Sequence, residues 1–149
     1  MPNAPAAILD ALQSLHEAEQ ASVFRLLGEP APPVAPLPAR VQELLGSLYD
    51  VNARHVNELA AEIRRLGDAP RARRPAELTS DESYLRFLSL RFLVPKLVRE
   101  KELMVERYEN AIRALPKNAP AEISDLLRRQ LVEQTANVEA LQAAAEKAA

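Results

Sequence analysis

Apolar side chains recur along this chain at steps of three and four residues, in four stretches set apart by prolines. That spacing puts them on one face of an α-helix and predicts amphipathic helices around a shared core. The first stripe holds Ile8, Leu12, Leu15, Val23 and Leu26. The second holds Val41, Leu44, Leu45, Leu48, Leu59, Ile63 and Leu66. The third holds Leu90, Val94, Leu97, Met104, Tyr108, Ala111 and Leu115. The fourth holds Ile123, Leu127, Leu131, Val138 and Leu141.

Proline and glycine set the expected boundaries. The first helix is placed at about 5–27, with Pro5 in the first turn, where its missing N–H costs nothing. Gly28 stops it, and Pro30, Pro32, Pro33, Pro36 and Pro38 keep the linker extended. The second helix runs over about 38–66, with Gly67 as its C-terminal cap and Pro70 just beyond. Residues 68–79 form a polar connection. Thr79 and Glu82 have capping-box spacing, so a third helix is expected over 80–115. Pro95 removes one intrahelical hydrogen bond, which predicts a kink near Val94 or a division into 80–94 and 95–115. Pro116 ends that element, and the fourth helix covers about 120–146.

Each stripe is broken by polar residues near mid-helix. Glu19 interrupts the first, and Asn52 and His55 the second. Lys101 completes the three–four alternation of the third. Gln134 lies inside the fourth, with Asn137 at its edge. In an antiparallel bundle mid-helix positions share a level, so these six predict a buried polar layer. Unpaired burial would cost each a few kcal/mol, so they should bond one another or water. A Glu19–Lys101 pair would cancel charge.

Composition narrows the class. The chain has 149 residues, 48% hydrophobic and 27% charged, which fits one soluble globular domain. Three glycines and few strand formers point to an all-α fold. A formal net charge of -2 favours neither nucleic acid nor an acidic membrane surface. The absence of cysteine excludes disulfides, thiolate metal sites and cysteine nucleophiles. No apolar run approaches the roughly 20 residues of a membrane span. The N-terminus lacks the features of a signal peptide, so a cytoplasmic location is expected. The Arg- and Ala-rich bias suggests a bacterial source.

The stretch from Ala53 through His55, Leu59, Ile63, Leu66 and Gly67 to Pro70 resembles the second helix of the ferritin-like superfamily, in particular its small bacterial, rubrerythrin-type bundles. There a Glu-x-x-His pair precedes Leu-x-x-x-Ile-x-x-Leu-Gly-Gly. The segment from Lys101 to Glu106-Arg107-Tyr108 is similar to the third helix, and 131–141 to the fourth. The resemblance implies an all-α four-helix bundle in which two helices each give one glutamate, and two a Glu-x-x-His pair, to a di-metal centre. Here the pairs read Asn52-x-x-His55 and Gln134-x-x-Asn137, and the third-helix glutamate position aligns with Lys101. Only Glu19 and His55 keep ligand chemistry. An amide is a weak neutral ligand and an ammonium repels a cation.

These residues lead to the expectation of a non-catalytic, metal-free ferritin-like module, with no cofactor and no catalytic residue. Its role is structural or interactive, and a homodimer or another protein is the expected partner. The competing expectation is an iron or manganese protein, an oxidase or a store. It would use Glu19 and His55 with Glu58, Glu62, Glu100, Glu102 or Glu133. An inward Lys101 separates the two. A third reading is phosphate binding by Arg64, Arg65, Arg71, Arg73 and Arg74, set against a solvated connection because aromatics are lacking. His55 as a phosphoacceptor would need exposure and a following lysine and glycine, and Glu58 and Leu59 stand there instead. His16 and Glu17 read as a solvated face with Glu19 the inward member. The run of Tyr84, Phe87, Leu88, Leu90, Phe92, Leu93 and Val94 suits either an interface or the core. A ferritin-like topology also needs a crossover between the second and third helices. Residues 68–79 reach at most about 40 Å along a helix about 42 Å long, unless 80–94 contribute.

Overall fold

The computed structural model describes residues 4–22, 39–71 and 90–148, which form four helices: α1, Ala4–Gln20; α2, Ala39–Arg65; α3, Leu90–Ala114; and α4, Ala121–Ala148. The architecture is an all-α four-helix bundle. The Thr79–Glu82 capping box, the proline linker, Val23, Leu26, Arg73, Arg74 and, from the 84–94 apolar run, Tyr84, Phe87 and Leu88 lie outside the described residues.

Each helix buries the face that its spacing dictates. Along α2, Val41, Leu45, Leu48, Asn52, His55, Leu59 and Ile63 are buried at steps of three or four. Along α3, Val94, Leu97, Lys101, Met104 and Tyr108 are buried among the described side chains. Ile8, Leu12, Leu15, Leu59, Ile63, Met104, Tyr108, Ile123 and Leu127 form one apolar block. Each such aliphatic side chain contributes roughly 1.5–3 kcal/mol by leaving water.

Gly67 closes α2. It adopts φ 88°, its N–H reaches Arg64 O at 2.9 Å, and the Asp68 N–H reaches Ile63 O at 3.2 Å. This is the Schellman arrangement, which needs a left-handed residue and so favours glycine. Beyond it, buried Gln13 of α1 donates to Ala69 O at 2.9 Å and accepts from Arg71 N at 3.1 Å. The start of the connection is thereby fixed against α1.

Two boundaries differ from the sequence expectation. α1 ends at Gln20 rather than near Leu27. Its last turn tightens through a Ser22 N–H bond to Glu19 O at 3.2 Å, and the same carbonyl accepts the Asn52 side chain at 2.9 Å. A tertiary donor thus competes for the carbonyl that would have carried the helix on. α3 is continuous across Pro95, which is exposed, so the division into two helices is not adopted. In α4, Gln130 rather than Leu131 takes the fully inward position, and Leu131 is half-buried at its flank.

Contacts set the helix directions. Gln13 meets Asp68 while Glu19 meets Asn52, so α1 and α2 are antiparallel. Arg54 meets Glu133 while Glu58 meets Arg129, so α2 and α4 are antiparallel. α3 and α4, joined by a short turn, pair through Tyr108 and Gln130 and are antiparallel too. α2 and α3 therefore point the same way, and residues 66–89 link opposite ends of the bundle. This is the crossover connection, and Glu19, Asn52, Lys101 and Gln134 stand on its four helices.

Candidate functional site

Glu19 lies in the last turn of α1 and is 0% exposed. Its carboxylate is held from the other three helices. Asn52 Nδ2 of α2 donates to Oε2. Gln134 Nε2 of α4 donates to Oε1. The Tyr108 hydroxyl of α3 donates to Oε1 at 2.9 Å. His55 Nδ1 approaches the same oxygen at 3.2 Å and Gln134 Nε2 at 3.1 Å. A proton on Nδ1 makes the bond to Glu19, whereas one on Nε2 leaves Nδ1 to accept from Gln134. Bonds to an ionised carboxylate are the stronger kind, so this single side chain ties the four helices together.

Lys101 is 1% exposed, although it lines a groove of about 220 Å³ between α1 and α3. Burial pushes its ammonium pKa down, and the Glu19 charge pushes it back up. The Tyr108 phenol is held well above its ordinary range by burial, then by the charge and hydrogen bond of Glu19. The Tyr108 oxygen also lies 2.9 Å from Gln130 Oε1, and Gln130 Nε2 donates to Glu58 Oε1 at 3.3 Å. The Tyr108 ring is 6.2 Å from that of His55, centre to centre.

Partly solvated ion pairs flank this layer on the α2–α4 side. Glu58 is held by Arg129, and Glu133 by Arg54 and Arg129. Burial acts to raise the Glu58 pKa, but hydrogen bonds from Arg129 and Gln130 and the Arg129 charge leave it lowered. His55 Nε2 lies 3.7 Å from Glu133 Oε1.

The six residues singled out from the sequence do not all behave alike. Glu19, Asn52, His55 and Gln134 are bonded together, and Lys101 is buried within the charge field of Glu19. Asn137 is half-buried, and its Nδ2 has no partner among the described residues. Tyr108, a member of the apolar stripe, and Gln130, which the spacing does not single out, also belong to the network. A tyrosine in an apolar stripe is a usable signal, because its hydroxyl needs a partner when buried. The solvated reading of His16 is wrong, since it is 2% exposed. α1 packs against both α2 and α3, so its buried face is wider than one stripe. Among the cluster arginines, Arg65 pairs with Glu62 and Arg71 with Glu17.

Two metal ions would need a different donor set. A di-metal centre of this type asks for four carboxylates and two imidazoles. Among the described residues no three His, Cys, Asp or Glu side chains gather as a metal-binding group. The Glu19 oxygens already accept protein donors, and the amides of Asn52 and Gln134 turn their nitrogens toward it. Glu100 is exposed and Glu102 half-buried, so neither replaces Lys101 at the centre. This set does not fit a di-metal ligand sphere.

No protein-family model matches the chain, and no curated protein matches it in sequence. A solved structure does match in shape, that of ferritin-like, diiron-carboxylate proteins from Bacillus anthracis str. Ames. Its TM-score is 0.76 at 16% identity, over 97% of this chain and 99% of that one. The helix order, the crossover and this likeness together show that the chain has a ferritin-like four-helix fold.

Proposed function

We propose that this chain is a non-catalytic ferritin-like protein in which a charge-balanced hydrogen-bond layer stands where a di-metal centre would be, and that it acts as a structural or protein-interaction module. The observation that carries this reading is Lys101. A lysine only 1% exposed, within the field of a fully buried glutamate, supplies internally the positive charge that a metal would bring. A metal ion beside it would meet like-charge repulsion in a poorly screened interior. Glu19, Asn52, His55, Tyr108 and Gln134 are all 0% exposed, so bulk reactants have no direct access to them. Function is thereby left to the surface, including a surface for a second copy.

One observation favours the second reading, an iron or manganese protein with a non-standard site. His55 Nε2 is buried without a hydrogen-bond partner and faces Glu133 at 3.7 Å. Against it, Glu133 is already paired with Arg54 and Arg129.

Elemental analysis after incubation with iron, manganese and zinc under reducing conditions separates the two. The proposal expects a result near zero metal per chain. Stoichiometric metal that is lost in His55→Ala would replace it with the second reading.

A further inference from the structure

The layer leaves polar atoms over. Asn52 Oδ1, His55 Nε2, Gln134 Oε1 and Asn137 Nδ2 are buried with no hydrogen-bond partner among the described residues. Asn52, His55 and Gln134 are each 0% exposed. All four belong to α2 or α4 and lie within one helical turn of one another along the axis. The register that sets Arg54 against Glu133, His55 against Gln134 and Glu58 against Gln130 brings Asn52 level with Asn137 in the seam between α2 and α4.

The amide oxygens cannot relieve themselves by rotating. Asn52 Nδ2 and Gln134 Nε2 are committed to Glu19, and a flip would set a carbonyl oxygen against the carboxylate. Both oxygens are therefore held away from Glu19, as acceptors in want of a donor. Asn137 Nδ2 is the reverse, a donor in want of an acceptor. A cation would suit the two oxygens but would face the Asn137 amino group and the Lys101 charge. Water suits all three, since it donates twice and accepts twice, and buried water characteristically makes two to four such bonds. His55 Nε2 and Glu133 Oε1, at 3.7 Å, are too far apart for a direct bond and close enough for one water to touch both.

We propose that the α2–α4 seam beside Glu19 is an internal water site, in which ordered water donates to Asn52 Oδ1 and Gln134 Oε1 and accepts from Asn137 Nδ2. This inference rests on the metal-free reading of the layer. The water would be a fixed part of the bundle, exchanging only when the α2–α4 seam opens.

The test is an atomic-resolution crystal structure of the full chain grown with excess Mn²⁺, with anomalous data collected at the manganese edge. A water-sized peak without anomalous signal, within hydrogen-bonding distance of Asn52 Oδ1 and Gln134 Oε1, is the expected result. That peak should be lost in Asn137→Leu. An anomalous peak on those oxygens would overturn both the water site and the metal-free reading. A dry seam, with the Asn137 amide bonded directly to Asn52 Oδ1, would overturn the water site and leave the metal-free reading standing.

Discussion

Asn52 on α2 donates from one amide nitrogen to two atoms of Glu19 on α1, the backbone carbonyl oxygen at 2.9 Å and the carboxylate Oε2. One side chain therefore clamps both the end of a helix and the charge at the bundle's centre. Asn52→Leu removes the clamp and leaves a buried carboxylate oxygen short of a donor. The expected loss is about 1.5–3 kcal/mol, the range for a hydrogen bond to a charged group. Denaturant unfolding measures it, and amide exchange at Ala21 and Ser22 should quicken. A loss within error of zero would show that solvent replaces the amide freely.

Tyr108 gives a pH signature. Its folded pKa lies above the unfolded one, so the folded state keeps the phenolic proton after the unfolded chain releases it. The stability linked to Tyr108 is fully present below about pH 10, the unfolded value. It is lost as pH rises from there through the folded pKa. Tyr108→Phe should flatten this alkaline decline while lowering stability near neutrality, because Glu19 loses a donor. Unfolding midpoints measured from pH 8 upward test both parts, and an unchanged alkaline slope in the variant would reject the assignment.

Glu58 acts at the other end of the scale. Its folded pKa is lowered, so its contribution is present above the unfolded carboxylate value and is lost as pH falls through the folded one. Because Arg129 and Glu58 are partly exposed, added salt should weaken the effect. Acid unfolding of Glu58→Gln should show a shallower decline than the parent protein. Equal slopes with and without Glu58 would show that other carboxylates govern acid stability.

Restoring ligands should restore metal. The variant Asn52→Glu, Lys101→Glu, Gln134→Glu, Asn137→His gives each helix the donors that a di-metal bundle requires. It should bind about two Co²⁺ per chain, read from visible absorption, and the parent protein should bind none. A folded variant without absorption would mean that helix spacing, rather than side-chain identity, keeps metal out.

Parts of this arrangement could be read directly from spacing. The alternation through Val94, Leu97, Met104 and Tyr108 turns Lys101 inward because a helix repeats every 3.6 residues. Asn52 and His55 face inward for the same reason. Other features depend on tertiary contacts that no local pattern contains. The end of α1 at Gln20 turns on a side chain of α2. The burial of His16 and Gln13 follows from α1 touching two neighbours and the start of the crossover. Gln130 and Leu131 fit the α4 stripe about equally well by angle. The hydroxyl of Tyr108, placed beside Gln130, decides between them.

The most direct test is a double-mutant cycle between Glu19 and Lys101. If each charge exists to balance the other, Glu19→Gln alone and Lys101→Met alone should each cost about 3–5 kcal/mol, as an orphaned buried charge does. The double variant should recover much of that loss, because two neutral side chains leave nothing uncompensated. Unfolding free energies of the four proteins give the coupling. Strong coupling, with the double variant more stable than either single one, is the predicted result. Additive losses would show that Glu19 and Lys101 are buried independently, and that Lys101 does not stand in for the missing metal charge.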